Sequence, residues 1–333
     1  MDILRAVGIL LVVLRHSFSP YRGSWGVSQY FEYNIYADYL GSYISTFSMP
    51  LFVFISGYIY HFLRSNYGKY GNYKTLFYKK SRRLIVPYFI LAPIYIYFFL
   101  DYNNFGSYLA HLWTDSGHLW FLLMMFIMFM IYYKFEDYLN KKIVFGIVLG
   151  SFLYIISVLF LYYNLQPIGR VFRYFIFFLL GNYFSKNSST ILNYLKGKVL
   201  YIFLAHLAIF SLYFYFAQTL DNKYLLITNR QALLVISILA LCFVYGFLNI
   251  VVEKYKSSVE KIKPLTKLIN HTSYYIYLIH QPILKVYFTF LIIQGLSPTI
   301  GIIIAFLGSM LISISLGYVI MKFKWGRELI GSK

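Results

Sequence analysis

About ten stretches of this chain are apolar over the length needed to cross a bilayer, and they restrict its fold more than any motif does. They lie at roughly 3–20, 39–63, 83–100, 118–134, 143–163, 170–185, 198–217, 231–252, 272–294 and 299–321. In hydrocarbon each backbone N–H and C=O must be satisfied within its own segment, so such runs form helices. A composition that is 60% hydrophobic and 12% charged excludes an ordinary soluble domain. No repeat or linker divides the sequence. The expected fold is all-α: one polytopic membrane domain over 1–333 with about ten transmembrane helices.

Net charge is +19. The cations gather in alternate loops, around Arg64–Arg83, Lys134–Lys142, Lys186–Lys198 and Lys254–Lys267, and again in the tail from Lys322. This is the bias that holds loops in the cytoplasm, so both termini are expected inside. It also accounts for the charge without nucleic acid, leaving membrane lipids as the expected surroundings. The 22% aromatic content suits interfacial belts. The first segment lacks a small-residue cleavage site and is expected to remain as the first span.

That span carries Arg5 and, after ten intervening residues, His16, preceded by Arg15. Eleven helical steps make three turns plus roughly 20°, so Arg5 and His16 share a face about 16 Å apart. Ionisable groups inside a bilayer are expensive and mark functional sites. The competing reading is that both side chains snorkel to opposite interfaces.

Other polar clusters follow in order. Ser56-Gly57, after Pro50, fits either close helix packing or a direct role in a site. Lys79, Lys80, Arg82 and Arg83 stand just before the third apolar run, where cations oppose a helix N-terminal dipole. They fit anionic lipid headgroups or a polyanionic ligand such as a nucleotide phosphate. His118 and Trp120 fall at an outer interface, and Arg170 and Arg173 stand one turn apart at an outer helix end, placed to snorkel or to hold an anion or sugar hydroxyl. His206 stands alone on an apolar helix and reads as a hydrogen-bonded structural residue. His280 sits two residues before Pro282, which suits either a structural hydrogen bond or a cavity wall.

The carboxylates map to loops or helix ends, which disfavours the carboxylate-based chemistry of many transporters. Histidines are left as the acid–base groups within the membrane. The sequence has no metal-ligand spacing, and its one cysteine, Cys242, lies in an apolar run, so no metal is expected.

Taken together, Arg5-x10-His16, Phe54-Ile-Ser56-Gly57-Tyr58, Lys79-Lys80-Ser81-Arg82-Arg83 with Pro87-Tyr88, Gly117-His118-Leu-Trp120-Phe121-Leu, Phe178-Leu-Leu-Gly181 and Tyr275-Ile-Tyr277-Leu-Ile-His280-Gln-Pro282 resemble, in order, the motifs of the membrane acyltransferase-3 family. These are bacterial O-acyltransferases of surface polysaccharides and related glycans. Lysines replace two arginines of the basic element, which keeps charge and loses forked phosphate recognition.

The resemblance implies an acyltransferase of the bacterial plasma membrane. It would move an acyl group, acetyl being expected, from cytoplasmic acetyl-CoA to a hydroxyl of a cell-envelope glycan or lipid-linked glycan. It implies His16 and Arg5 in catalysis, with Arg5, Lys79, Lys80, Arg82 and Arg83 on the CoA phosphates. His16 is then either a general base or a transient acyl carrier. Arg15, His118, Trp120, Arg170, Arg173, Tyr274 and His280 are candidate substrate contacts. The alternative is an exporter of a polysaccharide or lipid-linked sugar.

Overall fold

The computed structural model describes residues 1–25, 31–219, 226–290 and 296–329. They form fourteen α-helices, with no strand among the described residues: α1 (Asp2–Ser17), α2 (Ile35–Tyr67), α3 (Tyr73–Lys80), α4 (Val86–Phe99), α5 (Phe105–Thr114), α6 (Trp120–Lys141), α7 (Ile143–Tyr162), α8 (Gln166–Lys186), α9 (Ser188–Leu195), α10 (Val199–Thr219), α11 (Leu226–Lys254), α12 (Lys256–Phe290), α13 (Pro298–Lys322) and α14 (Lys324–Leu329). Among the described residues, seven helical stretches are long and apolar enough to cross a membrane. The all-α, polytopic architecture holds. The expected spans at 3–20, 170–185 and 272–294 correspond to α1, α8 and α12, with 291–294 outside the described residues, and these three helices stand outside those seven. α1 has 16 residues, and α8 and α12 carry polar side chains along their length. A helix enclosed by protein can do so without meeting lipid on every face.

The chain packs as two compact units. The first contains Met1–Phe52, Tyr194–Leu220 and Ile236–Lys322. Its centre is α1 packed on α12 and α13. α1 buries Leu4, Ala6, Ile9, Val12 and Val13, and α12 buries Tyr275, Ile276 and Leu278. α13 approaches closely because Gly317 has no side chain: a Cβ there would lie 2.8 Å from that of Tyr275. Asp2 in the first turn of α1 and Arg15 in the last both complement the helix dipole.

The second unit contains Val53–Asn193, Asp221–Val235 and Phe323–Lys333. Here α8 packs on α7 and α6, burying Tyr174, Phe175, Ile176, Phe177, Phe178 and Leu179. The latter part of α2 meets α8 at two glycines. A Cβ on Gly57 would overlap the Phe178 carbonyl oxygen, and one on Gly181 would overlap that of Phe54. Of the two readings of Ser56-Gly57 this is the close packing, and it sets backbone against backbone.

The basic run departs from its expected place. α3 begins at Tyr73 under an Asn72 cap that accepts from the Thr75 N–H at 2.8 Å, and Lys79 and Lys80 end that helix. Ser81–Ile85 then forms a π-turn, in which the Val86 N–H bonds to the Ser81 carbonyl. Pro87, which lacks an N–H, follows at once and cannot continue the regular ladder. The cations therefore lie inside one continuous helical stretch, Tyr73–Phe99, rather than at a helix start, and the dipole objection to them lapses.

Candidate functional site

In the first unit His16 is the centre of a small polar cluster. Apolar residues of α1 bring it to the helix's last turn, where it is buried. Nη1 of Arg15 lies 3.3 Å from its Nε2 and 3.5 Å from its Nδ1. The His280 imidazole, from α12, has its centre 5.2 Å from that of His16, the planes inclined at 47°. So two histidines far apart in sequence share one site. Trp25, from the turn after α1, stacks on His16 at 5.7 Å with planes 21° apart.

His280 is wholly buried. Its Nδ1 lies 2.9 Å from the carbonyl oxygens of both Ile276 and Tyr277. Those oxygens only accept, so Nδ1 carries a proton, and in the neutral ring the lone pair sits on Nε2. The Ser309 hydroxyl donates to the His280 carbonyl at 3.3 Å, fixing this stretch of α12 to α13. Arg5 and Tyr274 are half-buried on α1 and α12. α1 is unbroken from Asp2 to Ser17, so Arg5 and His16 do share a helix face, three turns apart.

His206 also lies in the first unit. Fully buried on α10, it meets the Tyr43 hydroxyl through Nδ1 at 3.2 Å. That contact agrees with a hydrogen-bonded structural residue.

In the second unit the basic run divides. The Lys80 ammonium lies 3.5 Å from the centre of the Phe129 ring and 5.1 Å from that of Tyr70, and Lys79 lies 5.8 Å from Tyr70. Lys80 is thus engaged in cation–π contacts. Arg82 is half-buried and Arg83 exposed. Burial pushes the Tyr70 hydroxyl pKa up, and the charge of Arg83 nearby pulls it part of the way back.

Beside this run lies a pair that the sequence reading missed. Glu136, on α6 and 5% exposed, accepts from the Tyr60 hydroxyl at 2.9 Å and from Arg64 Nε at 3.0 Å. Arg64 also donates to the Tyr70 carbonyl at 2.6 Å and lies over Tyr133. The expected span over 118–134 stops short of Glu136, whereas α6 runs on to Lys141. The usable signal was the occurrence of Arg64 and Glu136 at the ends of neighbouring apolar runs.

His118, Trp120, Arg170 and Arg173 gather in one region of the second unit. The Arg170 guanidinium lies 4.8 Å from the Trp120 ring centre and donates to the Thr114 carbonyl at 3.0 Å. Trp120 stacks on Tyr174 at 5.7 Å, and Arg173 lies 5.6 Å from that same tyrosine. His118 is buried against Tyr95. Gly117 permits this: its φ is +59°, and a Cβ there would collide with the Tyr95 ring. The Tyr88 hydroxyl bonds to the Leu112 carbonyl and to Ser116 Oγ, closing the loop from behind. Among the described residues no group of three or more His, Cys, Asp or Glu side chains is placed to hold a metal.

The sequence model of the acyltransferase-3 family, described as an acyltransferase domain, matches residues 1–318. No curated protein and no solved structure matches the chain.

Proposed function

The chain belongs to the acyltransferase-3 family, and from that premise we propose that it is an O-acyltransferase of the plasma membrane. It takes an acyl group, acetyl first among candidates, from cytoplasmic acyl-CoA and gives it to a hydroxyl of a cell-envelope glycan or lipid-linked glycan. The observation that carries this reading is the buried His16 imidazole with Arg15 at its nitrogens and His280 5.2 Å away.

In the proposed step His16 takes the proton of the acceptor hydroxyl as that oxygen attacks the thioester carbonyl. The C–O ester bond forms, the C–S bond breaks, and the CoA thiolate leaves and takes up a proton. Such base catalysis is worth about 10²–10⁴-fold. The Arg15 guanidinium, always charged, is the candidate to stabilise the oxyanion that develops on the carbonyl oxygen. Arg5, Arg82 and Arg83 are the candidates for the donor's phosphates, with Lys79 adding charge. Tyr274, His118, Trp120, Arg170 and Arg173 are candidates for acceptor contacts, since an aromatic ring flanked by guanidinium groups offers a sugar both a stacking face and donors.

The decisive experiment uses protein in nanodiscs with radiolabelled acetyl-CoA, comparing wild type with His16→Ala. Saturable binding and thioester loss that depends on His16 are expected. A folded wild-type protein that neither binds nor consumes acetyl-CoA or longer acyl-CoAs would overturn the donor assignment. It would leave export of a glycan as the activity to test.

A further inference from the structure

The turn after α1 is fastened to α2 more firmly than a connecting loop requires. The Tyr21 carbonyl accepts from the Asn34 N–H at 2.9 Å. Arg22 Nε donates to Asp38 Oδ1 at 3.0 Å, and its Nη2 to Ser42 Oγ at 2.8 Å. The Tyr33 hydroxyl and Gln218 Nε2 donate to the other Asp38 oxygen at 2.8 and 3.2 Å. Arg22 reaches these partners across Gly41, where a Cβ would stand 2.7 Å from its Cδ. Tyr21 packs edge-on against Phe31 and Phe288, at 5.3 and 6.2 Å.

All this leads to Trp25. Its φ is +72°, a left-handed conformation that a bulky residue seldom takes and that points to function where the surroundings impose it. In that conformation its indole lies on His16, 5.7 Å between centres, with Phe288 edge-on to it at 6.5 Å. His16 therefore has Arg15 at its nitrogens, His280 beside it and an indole on its face.

We propose that Trp25 is a positioning residue for His16: its indole fixes the plane of the imidazole and excludes water from it. The proposal rests on the acyltransferase reading. An imidazole that can deprotonate a glycan hydroxyl can deprotonate water equally well. Water would then give up a proton to His16 and form the C–O bond to the acyl carbon. The C–S bond would break, leaving a carboxylic acid and CoA thiol. Packing an indole on the base suppresses that loss, and the Arg22–Asp38 clamp holds the indole there.

Two readouts test it. An imidazolium stacked on an indole quenches its fluorescence. The emission of Trp25, taken as wild type minus Trp25→Phe in nanodiscs, is expected to fall as the pH is lowered and His16 takes up a proton. That step should vanish when the same difference is taken in a His16→Gln background. His280, the other titratable ring beside His16, is present in both pairs, and Arg15 stays charged throughout. The second readout is thioester loss from acetyl-CoA without added acceptor. It should rise severalfold in Trp25→Leu and in Arg22→Gln, and return towards wild type in Trp25→Phe. A Trp25 emission step that survives His16→Gln overturns the stacking. A normal step with unchanged thioester loss in Trp25→Leu overturns the positioning role and leaves simple packing. A folded wild type that binds neither acetyl-CoA nor longer acyl-CoAs sinks the acyltransferase reading itself, and the emission step still decides the contact.

Discussion

The rings of His16 and His280 lie 5.2 Å apart, centre to centre, and belong to different helices. Nδ1 of His280 is spent on the Ile276 and Tyr277 carbonyls at 2.9 Å, so any proton movement by this ring falls to Nε2. An asparagine at this position retains an N–H for those carbonyls and loses the second ring nitrogen. If Nε2 takes part in proton movement, His280→Asn lowers transfer by about 10²-fold or more while thermal stability stays near wild type. If His280 serves only to satisfy the two carbonyls, His280→Asn transfers at close to the wild-type rate and His280→Ala loses stability. Steady-state transfer measured beside thermal unfolding in detergent separates the two.

The Glu136 cluster belongs to stability. Glu136 is nearly sealed from solvent, and Tyr60 and Arg64 both point donors at it. Removing one member of a buried pair costs about 3–5 kcal/mol. Arg64 keeps 29% of its side chain exposed and can turn to water, so Glu136→Ala should fall below that range, at about 2–3 kcal/mol. Tyr60→Phe removes one hydrogen bond to a charged group and should cost about 1.5–3 kcal/mol. Thermal unfolding in detergent checks both. Wild-type stability in Glu136→Ala would mean that the pair contributes nothing.

The glycines predict a coupling. A Cβ on Gly57 meets the Phe178 carbonyl, and one on Gly181 meets that of Phe54, so each substitution forces the same two helices apart. No side-chain rotation relieves a clash with backbone. Gly57→Ala and Gly181→Ala should each destabilise by about 1–3 kcal/mol. Once the helices have separated, the second substitution meets less resistance, so the double variant should be less destabilised than the sum by at least about 0.5 kcal/mol. Strict additivity would show that the two contacts relax independently.

These residues also show how far sequence alone reaches. Helices are legible because apolar length in a bilayer permits little else, whereas Gly57 was legible only as one of two readings, close packing or a site role. Helix ends were not. α12 starts at Lys256, well before the apolar run at roughly 272, because its polar turns stay helical without being apolar. The pairing of His16 with His280 requires knowing which helices touch, and no periodicity within one helix contains that. Trp25 carried no signal at all: its position depends on Arg22, Asp38 and a backbone angle. The basic run was legible as charge, but the cation–π contacts of Lys80 depend on where Phe129 and Tyr70 lie.

That division of the basic run gives a last prediction about the donor. The Lys80 ammonium lies 3.5 Å from the Phe129 ring centre, so it is already engaged before any phosphate arrives. Arg83 is exposed, and its fork can grip two phosphate oxygens at once, which an ammonium cannot. One charged hydrogen bond is worth about 1.5–3 kcal/mol, or roughly tenfold to a hundredfold in affinity. Arg83→Ala should therefore raise the KM for acetyl-CoA by at least about tenfold with little change in kcat, since the phosphates do not react. Lys80→Met keeps the aromatic packing and removes the charge, and should change that KM far less. Full kinetics against acetyl-CoA, with dephospho-CoA thioester as a second donor, check the assignment. If Lys80→Met costs more in KM than Arg83→Ala, the ammonium leaves its rings for the donor and the roles reverse. If neither changes KM, the run serves the anionic lipid surface instead.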